Sequence, residues 1–202
     1  MRYLARVVPV SLRAARAARR SRGCSMDLIL VRHGKAFERD SAAWPDDSRR
    51  PLTAEGRREF ERFARRLGRV CKSVDLLESS GFTRAWTTAQ LLHEQAGWPR
   101  PSRLERLELH EGPEADPSAQ LESLRRTVSA LRGLGTVAWV GHEPVLSRLA
   151  SLLLAGSPAA VEVAFKKGAA MALRIDPRGD DPVRARLLWM MTPSATLRAA
   201  KK

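Results

Sequence analysis

The sequence predicts an α/β fold: a three-layer sandwich with a mostly parallel central sheet, an antiparallel edge strand, and helices on both faces. Three observations predict it. Short apolar runs rich in aliphatic and β-branched residues alternate with longer stretches whose apolar positions recur at helical spacing. Two of the short runs end in a histidine beside a glycine, at Val31-Arg32-His33-Gly34 and at Val140-Gly141-His142. The last two runs are separated by the turn signal Asp176-Pro177-Arg178-Gly179 and read as a hairpin. Such alternation lays helices over a parallel sheet, and the closing hairpin supplies the antiparallel edge.

Each element has its own signal. Leu28 to Val31 is a continuous apolar run of buried-strand type, and the polar, proline-containing stretch 36–52 is a loop. Thr53 can cap a helix that aligns Phe60, Phe63, Ala64, Leu67 and Val70 on one face. Val74 to Leu77 reads as the second strand, and Arg84 to Ala96 as a helix stopped by Gly97 with Pro99 behind it. Leu104 to Leu109 reads as a weak strand or ordered loop. Pro117 to Leu131 is helical, with Leu121, Leu124, Val128 and Leu131 on one face. Thr136 to Val140 is a strand. Pro144 occupies a first-turn position, and Val145 to Leu154 follows as a helix. Ala169 to Ile175 and Val183 to Met191 form the hairpin.

The chain has 202 residues, 44% of them hydrophobic, enough for one domain with a real core. Two cysteines, Cys24 and Cys71, exclude a disulfide scaffold and form no C-x-x-C pair. No uninterrupted apolar run reaches the ~18 residues of a membrane span. These features suit a cytoplasm and speak against a membrane partner.

The net charge of +14 is unevenly spread, with seven arginines and no acid in residues 1–25. A transit peptide or a basic arm has this composition. The reading adopted is a disordered leader ahead of Met26, because Met26 lies directly against the first strand signal. The domain then spans 26–193, and residues 194–202 form a basic tail. Without interleaved aromatics or a recognisable motif, the remaining charge does not point to nucleic acid.

In open α/β sheets ligands bind beyond the carboxyl ends of the strands. Three strand ends here deliver Arg32 and His33, Arg84, and His142 to one rim. Two guanidiniums and two imidazoles can cradle a dianionic phosphate. Two other histidines stand apart: His93 lies inside a helix and reads as structural, and His110 lies in a loop with reach to the rim. Nothing in the spacing supports a metal site: no histidine pair at i, i+4 and no carboxylate partner is present. Gly133-Leu134-Gly135 precedes a strand instead of following one, so it is no dinucleotide motif.

Several segments together resemble the histidine phosphatase superfamily, also called the phosphoglycerate-mutase-like fold. Arg32-His33-Gly34 is similar to its signature. Arg50-Pro51-Leu52-Thr53 with Gly56 resembles the "R-P-L-T-x-x-G" of the small SixA-type phosphohistidine phosphatases. Ser80-Gly81-Phe82-Thr83-Arg84-Ala85 with Thr88-Ala89 resembles the segment supplying the second arginine, with Gly81 where proline is common. Gly141-His142-Glu143-Pro144 and Lys167-Gly168-Ala169 follow in the family's order.

The resemblance implies that His33 attacks phosphorus and becomes a phosphohistidine. Arg32, Arg84 and His142 would bind the phosphoryl oxygens, with Gly34 and Arg50 beside the substrate. No metal or cofactor is implied. The implied substrate is a phosphorylated protein of phosphotransfer or phosphocarrier type; the alternative is a phosphorylated small molecule. A general acid, where needed, would be Glu108 or Glu111. Glu108 stands four residues before Gly112, as in the "L-x-E-x-x-x-G" of larger members, but Arg106 replaces the leucine.

Overall fold

The structure, a computed structural model, describes residues 25–109, 115–176 and 183–194. The leader reading for residues 1–25 falls almost wholly outside these residues, as does the tail beyond Ser194. The turn 177–182 and the segment 110–114, with His110 and Glu111, are outside them too.

In chain order the elements are β1 (Met26–Arg32), a 3-10 turn (Asp47–Arg49), α1 (Ala54–Val70), β2 (Leu76–Ser79), α2 (Thr83–Ala96) and β3 (Ser102–Arg103). A second 3-10 turn (Glu105–Leu107), α3 (Pro117–Ala130), β4 (Thr136–Gly141), α4 (Val145–Ala155), β5 (Ala170–Ile175) and β6 (Ala185–Met191) follow. The sheet order is β3-β2-β4-β1-β5-β6. β3, β2, β4 and β1 pair in parallel, and β5 pairs antiparallel with both β1 and β6. The antiparallel edge is therefore a strand pair.

Strand alternation splits the interior into two cores. On one face Ile29, Val31, Ala138 and Val140 pack against Phe60, Phe63 and Leu67 of α1 and Ala85, Ala89 and Leu92 of α2. On the other, Leu28, Leu30, Val137 and Trp139 meet Leu121, Leu124 and Val128 of α3 and Leu146, Leu149 and Leu153 of α4. Each large side chain so buried contributes about 1.5–3 kcal/mol.

Local chemistry fixes the ends. Thr53 Oγ1 accepts from Gly56 N–H at 2.9 Å, the N-cap the sequence predicts. Gly56 itself is required, because a Cβ there would overlap the Lys35 carbonyl. Asp116 caps α3 by accepting from Ser118 and Ala119 N–H. α2 ends at Gly97 with φ of 71°, a left-handed stop.

Some boundaries differ from the sequence reading. Val70 is exposed, because the buried stripe of α1 ends at Leu67. The second strand starts at Leu76: the Asp75 carboxylate accepts from Gly135 and Thr136 N–H, and the chain bends there instead of continuing the strand back to Val74. Most of 104–109 is a 3-10 turn and loop.

Candidate active site

The parallel register sets Arg32 opposite Gly141, and His33 N–H donates to the Gly141 carbonyl at 3.1 Å. His33 and His142 thus leave adjacent strands together, with ring centroids 5.2 Å apart. Both are buried, at 6% and 1% exposure. β2, on the other side of β4, ends one residue before Ser80, whose N–H donates to Val140 O. α2 then starts at Thr83 and brings Arg84 to the same rim.

His33 has a defined tautomer. Its Nδ1 lies 2.7 Å from the Gly34 carbonyl. A carbonyl only accepts, so Nδ1 carries the ring proton and Nε2 keeps its lone pair. Burial pushes the His33 pKa down to about 3; the Gly34 bond opposes this, and Arg84, Arg32 and Arg50 reinforce it. The ring is neutral at any working pH.

His142 is tied differently. Its Nε2 lies 2.8 Å from Ser80 Oγ. That hydroxyl oxygen already accepts from Phe82 N–H, so its own proton is available to Nε2. We assign the ring proton to Nδ1 accordingly. Burial, followed by His33 and Arg84, lowers the His142 pKa to about 2.

Arg84 is 2% exposed, with its guanidinium carbon 5.1 Å from the Phe82 ring centroid. Nη1 donates to the Asp47 carbonyl at 2.6 Å and Nη2 to the Asp47 carboxylate at 2.8 Å. Arg50 Nε donates to the other carboxylate oxygen at 2.8 Å. Arg32 Nη1 donates to Phe165 O at 2.6 Å. Among the described residues, Arg32 Nε, Arg84 Nε and His142 Nδ1 are buried and have no hydrogen-bond partner. Buried polar atoms are nearly always satisfied, so these three nitrogens at one rim are donors or acceptors left open to a ligand.

Of the other expected site residues, Gly34 gives its N–H to Thr88 Oγ1 at 3.1 Å and so has none to offer a ligand. Arg50 lies close enough to depress His33 electrostatically. Glu108 is engaged elsewhere: Oε1 accepts from Gly81 N–H at 3.0 Å and from Arg103 Nε at 2.7 Å. His93 is held by Trp98 O and serves the α2 terminus. Three residues not proposed from sequence adjoin the site: Asp47, Ser80 and Glu143. Burial raises the Glu143 carboxyl pKa, opposed by Ser147 and by Arg32. Among the described residues no group of three or more His, Cys, Asp or Glu forms a metal-binding cluster, and no helix is long and apolar enough to cross a membrane.

Residues 28–113 match the histidine phosphatase superfamily (branch 1), a stretch containing Arg32, His33, Arg50 and Arg84. Over this stretch, somewhat under half of the chain, the sequence is similar to that superfamily. Among solved structures, the protein histidine phosphatase SixA complexed with tungstate aligns with a TM-score of 0.67 and 23% identity, over 85% of this chain and 99% of that one. A mycobacterial glucosyl-3-phosphoglycerate phosphatase in complex with VO3 aligns at 0.61 and 21% identity, over 81% and 98%. At these identities the likeness is one of fold. Among curated proteins, none matches the sequence. The matched stretch includes His33, and the rim sets its imidazole beside buried guanidiniums, the kinds of group that phosphoryl transfer uses.

Proposed function

We propose that this chain is a histidine phosphatase that removes the phosphoryl group from a histidine on another protein, through a phosphohistidine formed on His33. The observation that carries this is a neutral imidazole with its proton pinned on Nδ1, set beside Arg32, Arg84 and Arg50. In the first step the Nε2 lone pair forms a bond to phosphorus. The bond from phosphorus to the substrate imidazole breaks, and that ring, protonated beforehand by solvent on its other nitrogen, leaves as neutral imidazole. In the second step water attacks phosphorus, the His33–phosphorus bond breaks, and inorganic phosphate is released. Arg32, Arg84 and His142 stabilise the charge spread over the phosphoryl oxygens in both steps. No cofactor enters, and a cytoplasmic setting suits the thiol Cys71.

A protein substrate is supported by two features. SixA, an aligned structure, is a protein histidine phosphatase. Imidazole, once protonated, is a good leaving group, and Glu108 is bound to Arg103 and Gly81. The test is a panel of phosphohistidine proteins against phosphorylated metabolites, with capture of an acid-labile phosphoenzyme. Preference for phosphohistidine, and a phosphoenzyme absent from His33→Ala, is the outcome required.

A second reading, a small-molecule phosphomonoesterase or mutase, is favoured by Glu143. A carboxyl that burial inclines to keep its proton, next to the cradle, can protonate a departing alkoxide. Glu143→Gln abolishing ester hydrolysis in an enzyme that prefers esters would establish that reading.

A further inference from the structure

The loop between β1 and α1 contributes one carboxylate to the site, and its contacts are more specific than charge balance requires. Asp47 holds Arg84 at two points, its backbone carbonyl on Nη1 and its carboxylate on Nη2. The other carboxylate oxygen takes Arg50 Nε, with Arg39 Nε at 3.9 Å. We propose that Asp47 is a positioning residue that acts through Arg84. Its two-point grip fixes the plane and rotation in which the guanidinium meets the phosphoryl group. This rests on the reading that Arg84 binds that group.

Four observations support the role. The grip engages the two terminal nitrogens, while Arg84 Nε stays buried without a partner among the described residues. The Phe82 ring lies against the guanidinium and restricts its tilt, and the two Asp47 hydrogen bonds restrict its rotation. The loop that carries Asp47 is itself held: Asp46 accepts from Ser48 N–H, and Arg50 Nη1 donates to Phe37 O. Finally, Asp47 is ionised: burial would raise its carboxyl, but Arg50 and Arg84 together hold it below the usual carboxylate range. Its charge lets two guanidiniums stand side by side near His33 while the cradle keeps a net attraction for a dianion.

The simpler alternative is that Asp47 only neutralises a buried arginine. That role affects folding and leaves catalysis per folded molecule unchanged. A positioning role affects the transition state, where a displacement of ~1 Å can cost about a hundredfold.

The experiment is a double-mutant cycle on kcat and KM for an aryl phosphate, with thermal unfolding read on every variant. The proteins are the full chain and its Asp47→Asn, Asp47→Ala, Arg84→Ala, Asp47→Asn/Arg84→Ala and His33→Ala variants. Both variants keep the backbone carbonyl, and Asp47→Asn also keeps a side-chain acceptor, so it serves as the test if Asp47→Ala fails to fold. In the wild-type background Asp47→Asn should lower kcat by about tenfold or more, with KM changed by less than about threefold. In the Arg84→Ala background the same change should cost less than about twofold, because the residue it acts through is gone. Wild-type kcat in Asp47→Asn, or an equal loss in both backgrounds, overturns the positioning role. His33→Ala keeps the two failures apart. If it is inactive, the phosphatase reading stands whatever the cycle gives; if it is fully active, that reading fails and the Asp47 role with it.

Discussion

The carboxyl ends of β1 and β4 are neighbours in the sheet, and each releases a buried histidine, yet the two rings are held in opposite ways. His33 is fixed through Nδ1 by the carbonyl of the next residue, which leaves the lone pair on Nε2. His142 is fixed through Nε2 by the Ser80 hydroxyl, and its Nδ1 is the buried nitrogen without a partner among the described residues. The same side chain, one strand apart, thus offers a lone pair on one side of the site and an N–H on the other. The group that holds each ring decides which, a backbone carbonyl in one case and a hydroxyl in the other. Nucleophile and oxyanion donor are the roles that follow on the proposed mechanism.

The strongest way to break this comparison is to remove each ring in turn. His33→Ala should lose activity by a thousandfold or more (~4 kcal/mol) and form no phosphoenzyme. His142→Ala should slow turnover by about a hundredfold, the usual cost of one oxyanion donor, while phosphoenzyme still accumulates on His33. Quench-flow capture of phosphoenzyme with radiolabelled substrate separates the two. Equal loss of phosphoenzyme in both variants would place the rings in the same role.

Next comes the cation that both rings face. Arg84→Lys preserves charge but not the planar fork, and a lysine cannot hold Asp47 and a phosphoryl oxygen in one plane. The loss should be roughly tenfold or more in kcat/KM, about 1.4 kcal/mol. Wild-type kinetics in that variant would remove Arg84 from the cradle.

Much of this arrangement was legible in the sequence because strand ends are. An apolar run of four or five residues followed by His-Gly or Gly-His fixes both the strand and the rim its last residue reaches, and the Thr53 cap and Gly97 stop are equally local. What was hidden depends on contacts far apart in the chain. Asp47 meets Arg84 across 37 positions and Ser80 meets His142 across 62, and no periodicity predicts where a loop carboxylate or hydroxyl will close. Val74 was misread for the same reason: its apolar side chain suits a strand, but the distant Gly135 and Thr136 amides capture its neighbour Asp75.

The buried rings also make a prediction about acid stability. Their folded-state pKa values, about 3 and about 2, lie far below the 6.5 of an ordinary histidine. Below pH 6.5 the unfolded chain therefore binds protons that the folded chain does not. Stability is full above that pH and is lost as pH falls, by up to about 1.4 kcal/mol per pH unit for each ring. Replacing both by asparagine removes the term. Between pH 7 and pH 5 the wild type should lose on the order of 2–4 kcal/mol more than His33→Asn/His142→Asn in denaturant unfolding. Parallel losses would mean that both rings take up protons in the folded protein as they do in the unfolded chain.

The smallest effect should come from the margin of the site, where the sheet thins to the two residues of β3. Glu108 lies beside Gly81, one residue from the serine that ties His142, and its offset from Gly112 resembles that of the acid in larger family members. Its carboxylate, however, joins the Gly81 amide to Arg103, whose side chain is 56% exposed. Glu108→Gln keeps an oxygen for Gly81 N–H and forfeits only the charge opposite a solvated arginine, an interaction worth about 0–1 kcal/mol. Hydrolysis of a phosphohistidine protein should then fall by less than about threefold, the rate equivalent of half that range. Unlike Asn or Gln at the central positions, the change should leave the phosphoenzyme level untouched. A tenfold loss on an alkyl phosphate with phosphohistidine turnover preserved would show instead that Glu108 leaves Arg103 to protonate a departing alkoxide, and would make this margin, and not the paired histidines, the part of the site that selects the substrate.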